Sequence, residues 1–138
     1  LTLGTNNIVR MTLFNNGTIL MGNTATPAGY RLYVETGILT EKIKVALKSS
    51  ANWADYVFAD DYQLQPLTEV EKYIREHKHL PGVPSADDVV KEGLDLATMD
   101  AKLLEKIEEL TLHMIQLEKE VNNLKEKNEV LTEQLNSK

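Results

Sequence analysis

The sequence contains no cysteine, so neither a disulfide framework nor a thiolate-ligated metal site can organise it. This leaves the compartment open. It has no excess of positive charge: 15 Lys and Arg face 21 Asp and Glu, a net charge of −6. A nucleic-acid backbone binder wants a basic face, so nucleic acid is not expected as a partner. No apolar run is long enough to cross a bilayer, and no signal-peptide pattern opens the chain, so no membrane insertion is expected. The chain begins at Leu1 rather than Met, from which we expect a piece of a longer protein. Gly-rich phosphate loops, paired metalloprotease histidines and the Gly-x-Ser-x-Gly elbow are all lacking. No catalytic residue, cofactor site or metal site is therefore assigned, and the chain is not expected to be an enzyme. Carboxylate pairs such as Glu108-Glu109 read as solvated helix faces.

What is present begins with the last third. Leu103, Leu110, Leu117, Leu124 and Leu131 recur every seven residues, and Ile107, Met114, Val121, Asn128 and Leu135 fall between them. These are the d and a positions of a heptad repeat, a narrow seam that one helix cannot bury alone. A long amphipathic helix lying on its own domain would show a wider apolar face. The ten residues are therefore assigned to an oligomer interface. At 1.5 Å per residue the seam is a rod of roughly 50 Å. Glu120 with Lys125, and His113 with Glu118, sit where parallel neighbours pair charges, and Asn128 at an a position fixes register. β-Branched a residues with Leu at d lean towards two strands. Met114 and Leu135 dilute that pattern, and Leu104 widens the stripe, so dimer and trimer stay open from the heptads alone.

Residues 1–47 read as short strands. Residues 8–14 are rich in β-formers, Asn15-Asn16-Gly17 signals a turn, and residues 18–21 resume an extended pattern, which predicts a hairpin. Residues 22–29 read as a loop. In residues 30–34, Leu32 and Val34 share one face and Arg31 and Tyr33 the other. Alternation resumes over residues 40–47. Such a sheet alone is marginal and has open edges, which sharing strands between chains would close.

Residues 49–52 read as a linker. Residues 53–58 form the most aromatic patch. Trp53, Tyr56 and Tyr62 are candidates for ligand binding by stacking on a sugar, against the preferred reading as a small local core. Asp55, Asp60 and Asp61 could face a hard cation, but no calcium-loop spacing accompanies them, so capping roles are preferred. Thr68 to Glu71 matches a capping box that would start a helix. His77 and His79 at its end read as cations near a helix C-terminus rather than metal ligands. Pro81 and Pro84 redirect the chain. Ser85 is expected to cap a second short helix ending at Gly93, and Asp95 to cap the long one. The fold class expected is α+β in three parts: a β-stranded shaft segment (1–48), an aromatic short-helix region (49–97) and a parallel coiled-coil helix (98–138).

Trp53-Ala-Asp-Tyr-Val-Phe58, Tyr62-Gln-Leu-Gln-Pro-Leu67, Glu69-Val-Glu71, Tyr73-Ile74 and His79-Leu-Pro-Gly-Val-Pro-Ser-Ala86 resemble a C-terminal module of Bacteroidetes surface and phage fibre proteins. Gly29-Tyr-Arg-Leu-Tyr-Val-Glu-Thr-Gly-Ile-Leu39, Gly93-Leu-Asp-Leu96 and Lys106-Ile-Glu-Glu-Leu-Thr111 extend the likeness from about Asn16 onwards. The layout is also similar to endosialidase-type intramolecular chaperone domains. That resemblance implies a homotrimer, a chaperone-like role at the end of a tail or surface fibre, and a virion-tail or cell-surface location. The alternative reading is a binding module in which the tip region from Trp53 to Ser85 recognises a cell-surface receptor or glycan. Self-cleaving members carry a Ser-Asp-x-Arg-Leu-Lys-like block at the shaft junction. Here Lys48-Ser49-Ser50-Ala51-Asn52 departs from it, so no cleavage role is carried to Ser49 or Ser50, and a self-cleaving chaperone is kept only as a further alternative.

Overall fold

The computed structural model describes residues 1–26, 28–46 and 53–137. It is a mixed α+β chain with a four-stranded sheet in its N-terminal part and a long C-terminal helix. The chain divides into two compact units, Leu1–Lys44 and Val45–Lys138. The linker expected at residues 49–52 lies outside the described residues.

In the first unit, strands β1 (Thr2–Thr5), β2 (Ile8–Leu13), β3 (Ile19–Met21) and β4 (Leu32–Val34) lie in the order β1-β2-β3-β4. The first two pairs are antiparallel and the last is parallel. Asn6 and Asn7, both at positive φ (54° and 59°), turn β1 into β2. Asn tolerates this conformation better than most residues, and a two-residue turn of that hand matches strand twist. The predicted β2–β3 hairpin is present. Its turn is closed by the Gly17 amide donating to the Phe14 carbonyl (3.1 Å) and the Phe14 amide donating to Thr18 (2.9 Å). Gly17 sits at φ 82°, and the Asn16 side chain accepts from the Thr18 amide at 3.0 Å.

Register decides which residues share a face. Leu3 pairs with Met11, Met11 with Met21, and Met21 with Val34; Leu13 pairs with Ile19, and Ile19 with Leu32. Paired residues point the same way, so these seven apolar side chains line one face. Thr2, Thr12, Leu20 and Tyr33 line the other. The connection from β3 to β4 passes on the second side, because Thr26, Ala28 and Gly29 line an open cavity together with Thr18 and Tyr33. Leu20 and Thr18 are accordingly buried, whereas Leu3, Leu13, Met21 and Leu32 are exposed.

Residues 40–46 were expected to continue as a strand, but they form none; Leu47 lies outside the described residues. A period of two gives a segment an apolar side but not a neighbouring strand. Ile43 and Val45 are left exposed.

In the second unit, a 3₁₀ helix (Ala54–Phe58) precedes α1 (Leu67–His77), α2 (Ala86–Glu92) and α3 (Leu96–Asn136). The capping box expected at Thr68 does not form. Pro66 is the N-cap and makes no side-chain cap; its carbonyl takes the Glu69 and Val70 amides at 2.9 and 3.1 Å. Pro66 thus starts the helix early enough to place Thr68 inside it, where its hydroxyl cannot cap. Ser85 and Asp95 do cap α2 and α3. Ser85 and Asp88 exchange bonds with each other's backbone amides, and Asp95 accepts from the Thr98 amide at 2.8 Å. These bonds hold both aspartates below the usual carboxylate range. Gly93 ends α2 at φ 78°.

Replacing Gly17 by alanine tests the hairpin. The left-handed conformation costs an L-residue about 1–2 kcal/mol, and the new Cβ would lie 2.8 Å from Arg31 Nη1. Urea denaturation should show a loss of at least that size for the N-terminal unit, with helical signal unchanged.

Candidate functional site

The second unit is built on the back of α3. In heptad lettering, Ala101 and Glu108 are b positions and Glu105 is an f position, all opposite the a/d seam. These are the buried residues of α3, and the 3₁₀ helix packs on the same helix with Ala54 and Val57 almost fully enclosed. The tight core is therefore two small aliphatic side chains, not the aromatic cluster expected from residues 53–62. Trp53 and Tyr56 remain about two-fifths exposed.

Polar contacts make this docking specific. The Tyr56 hydroxyl donates to Glu105, and the Tyr62 hydroxyl donates to Glu109 at 2.5 Å. Lys102 Nζ reaches Glu105 at 2.7 Å, and Lys106 Nζ bridges Glu105 (3.0 Å) and Glu109 (2.7 Å). The two tyrosine rings lie 6.0 Å apart, tilted by 47°. Glu108 and Glu109, expected on a solvated face, do not lie on one: Glu108 is buried and Glu109 accepts from Tyr62. Glu108 Oε2 is buried with no hydrogen-bond partner among the described residues.

The electrostatics follow from this geometry. Burial pushes the Glu105 carboxyl up, but bonds from Lys102, Tyr56 and Lys106 outweigh it and hold the group at about 2. The hydrogen bond to Glu105, then burial, pushes the Tyr56 hydroxyl up to about 12. Burial, then the bond to Glu109, raises Tyr62 as well. Burial alone would lower Lys106, but bonds to Glu109 and Glu105 raise it. Both phenols are kept protonated and both carboxylates accept from fixed donors, so the cluster is a structural lock.

A second contact lies further along α3. His113 Nε2 donates to the Gln65 carbonyl at 3.1 Å, which gives this residue, expected to face a neighbouring chain, a partner within its own. Beside it, Leu67, Val70, Leu80 and Pro81 line a cleft with Leu110, Lys106 and His113. The α1 helix has no buried residue.

The ten seam residues stand on the open side of α3. Leu103, Ile107, Leu110, Met114, Leu117, Val121, Leu124, Leu131 and Leu135 are 39–75% exposed, and Asn128 is exposed with them. Asp55, Asp60 and Asp61 are exposed. The described residues contain no group of three or more His, Asp or Glu that could hold a metal ion, and no helix long and apolar enough to cross a membrane. His77 and His79 instead gather around Tyr73: His77 stacks on the tyrosine at 4.0 Å and bonds the Tyr73 carbonyl at 3.1 Å.

Sequence reasoning named Tyr56 and Tyr62 but missed Glu105, Glu109, Lys102 and Lys106. Their spacing is ordinary for any charged helix face, and no apolar stripe marks the site.

Two measurements check the lock. Tyr56→Phe removes a bond to an ionised acceptor and should cost about 1.5–3 kcal/mol, whereas Glu108→Met removes a buried, unpaired acceptor and should stabilise by about 1–3 kcal/mol. The pH profile has two edges. The folded pKa of Glu105 lies below its ordinary 4.5, so its contribution is full above that value and is lost as pH falls towards about 2. The folded pKa of Tyr56 lies above its ordinary 10.0, so its contribution is full below that value and is lost as pH rises towards about 12. Urea midpoints across pH should fall at both edges, and Tyr56→Phe should remove the alkaline one attributable to this residue.

Comparison with protein-family models, with curated proteins and with solved structures found no match to this chain.

Proposed function

We propose that this chain is the C-terminal assembly module of a fibrous protein, a trimerisation element with an intramolecular-chaperone-like role at the end of a phage tail fibre or bacterial surface fibre. The observation that carries this reading is the division of labour on α3. Its back face holds the chain's own 3₁₀ helix, while its leucine seam is left exposed along the length of the helix.

Burying a Leu, Ile, Met or Val side chain is worth about 1.5–3 kcal/mol. A 41-residue helix with its apolar stripe in water forgoes that gain at nine positions. Helices in proteins draw most of their stability from packing such a face. Copies of the same helix supply the matching knobs and holes, and Asn128 at an a position selects one register. The likeness of residues 53–86 to fibre modules favours three chains over two. Parallel alignment then holds the β segments of the chains at high effective concentration, which lowers the cost of their association.

Catalysis is no part of this reading. Glycan binding through Trp53, Tyr56 and Tyr62 is less well supported, because both tyrosine hydroxyls are already committed to Glu105 and Glu109.

Light scattering on the whole chain should give about 47 kDa, three times its 15.6 kDa. Leu117→Asp combined with Leu124→Asp should return the mass to that of one chain. A wild-type chain that stays monomeric at micromolar concentration would sink the proposal. Since Glu108 is on the back face, Glu108→Met should leave the mass unchanged.

A further inference from the structure

The leucine seam of α3 is interrupted once, at Asn128. This amide stands at an a position between the Leu124 and Leu131 layers, and the helix runs through it without a break. From Met114 to Asn136 every residue of α3 is exposed, so the back-face lock does not reach this stretch. The Asn128 side chain has no hydrogen-bond partner among the described residues. Its backbone carbonyl accepts from the Thr132 hydroxyl at 2.8 Å, which turns the nearest hydroxyl beside the seam onto the helix backbone.

The charges that flank this layer are of one sign. Lys127 occupies the g position and Lys125 the e position beside Asn128, whereas Glu126 and Glu129 fall at f and b, away from the seam. Neither lysine has an ion pair among the described residues. Between parallel neighbours a g residue faces the e residue of the following heptad. Lys125 then meets Glu120, but Lys127 meets Thr132, which offers no charge. A positive surplus is left around the one polar layer of a chain that is acidic as a whole.

Alignment of three chains brings three Asn128 amides to one axis. Each amide has two N–H donors and one carbonyl oxygen. Two chains can pair their amides donor to acceptor. Three can donate each to the next, and even then one N–H per chain is left over. Leucine layers on both sides keep bulk water out, and a buried donor without an acceptor is costly. An anion on the axis accepts from three donors at once, and the lysines attract it. A cation on three carbonyls would be opposed by the same lysines.

We infer that the Asn128 layer binds a monovalent anion of chloride size on the three-fold axis, held by amide N–H groups with the Lys127 ammonium groups around it. The inference rests on the proposed function, because the site is complete only when three chains align. It adds a ligand to that reading. It also gives the polar layer a part in setting chain number, since two amides satisfy each other without an ion and three do not.

Thermal unfolding of the whole chain in sodium chloride and in sodium gluconate, at one ionic strength, separates binding from screening. Gluconate is too large for the layer. Light scattering on the same samples gives the chain number. Exchange of gluconate for chloride, from about 1 to about 100 mM, should raise the wild-type midpoint by roughly 2–4 °C. Chloride NMR lines should be broadened by the wild-type chain and not by the Leu117→Asp, Leu124→Asp variant. Asn128→Val should unfold at a higher midpoint that is equal in the two salts, with Asn128→Leu in its place if valine changes the chain number. Lys127→Gln should raise the chloride concentration needed by roughly threefold. A three-chain assembly with equal midpoints in the two salts overturns the inference and leaves the proposed function standing. A chloride effect of the same size in Asn128→Val also overturns it, since the ion then binds elsewhere. A wild-type chain that is monomeric, or that stops at two chains, removes the layer and ends both.

Discussion

A single helix can satisfy its own chain on one side and a neighbour on another only if the two demands fall on different heptad positions. In α3 they do. Ala101, Glu105 and Glu108 are b and f residues and are enclosed; the a and d residues from Leu103 to Leu135 are exposed. Had the 3₁₀ helix docked on the seam, the leucines beneath it would have been covered within the chain. The separation is a consequence of chemistry. The back of α3 has one small apolar residue, Ala101, and a ladder of charges, so only a segment with hydroxyls to donate and small side chains to insert can pack there. Tyr56, Tyr62, Ala54 and Val57 meet that description; a stripe of leucines would not.

The polar character of the lock has an energetic reason as well. Glu105, Glu109, Lys102 and Lys106 can be hydrated before the 3₁₀ helix arrives, so the back face needs no cover of its own. Once docked, each buried carboxylate oxygen that is satisfied has a named donor, and hydrogen bonds to ionised groups are stronger than neutral ones. Glu108 Oε2 is the exception among the described residues. A seam of aliphatic side chains has the opposite behaviour: it gains only when water leaves it, and it is indifferent to which apolar surface displaces that water. The polar lock therefore carries specificity within the chain; on the proposed reading, the apolar seam carries the drive to associate.

Periodic features were legible in the sequence, and one-sided polar features were not. The heptads from Leu103 to Leu135 mark α3 because seven-residue recurrence has no other simple cause. Asn15-Asn16-Gly17 marks the β2–β3 turn because Gly17 must take positive φ, and Ser85 and Asp95 mark helix starts through their side-chain acceptors. The Thr68 box misled because Pro66 begins the helix first, and a cap motif says nothing about whether an earlier residue will serve. Asn6-Asn7 was readable in principle, as two residues tolerant of left-handed backbone between strand formers. The Tyr–Glu–Lys lock was not readable, since its partners are separated by nearly fifty residues and each is unremarkable locally. Residues 40–46 show the converse: an alternating pattern specifies a side but not a partner, and among the described residues no strand pairs with them.

The two exposed apolar surfaces differ in what they require of a neighbour. A heptad seam is demanding: knobs fit holes at one register, and Asn128 penalises slippage by one heptad. A flat sheet face of Met, Leu, Ile and Val is permissive, because such residues repack with little loss, methionine above all. Left to itself the permissive surface would associate in many ways, including aggregation through the open edges of β1 and β4. On the proposed reading, coupling to the demanding one presents it to its counterparts in a single alignment. On the proposed reading, this is the physical content of a chaperone-like role for the helix: it contributes no new contact to the sheet, but it selects which of many contacts of similar energy the sheet makes. That selection requires the helices to associate before the sheets do, and the seam is suited to lead, since helix formation is local in sequence and faster than non-local strand pairing.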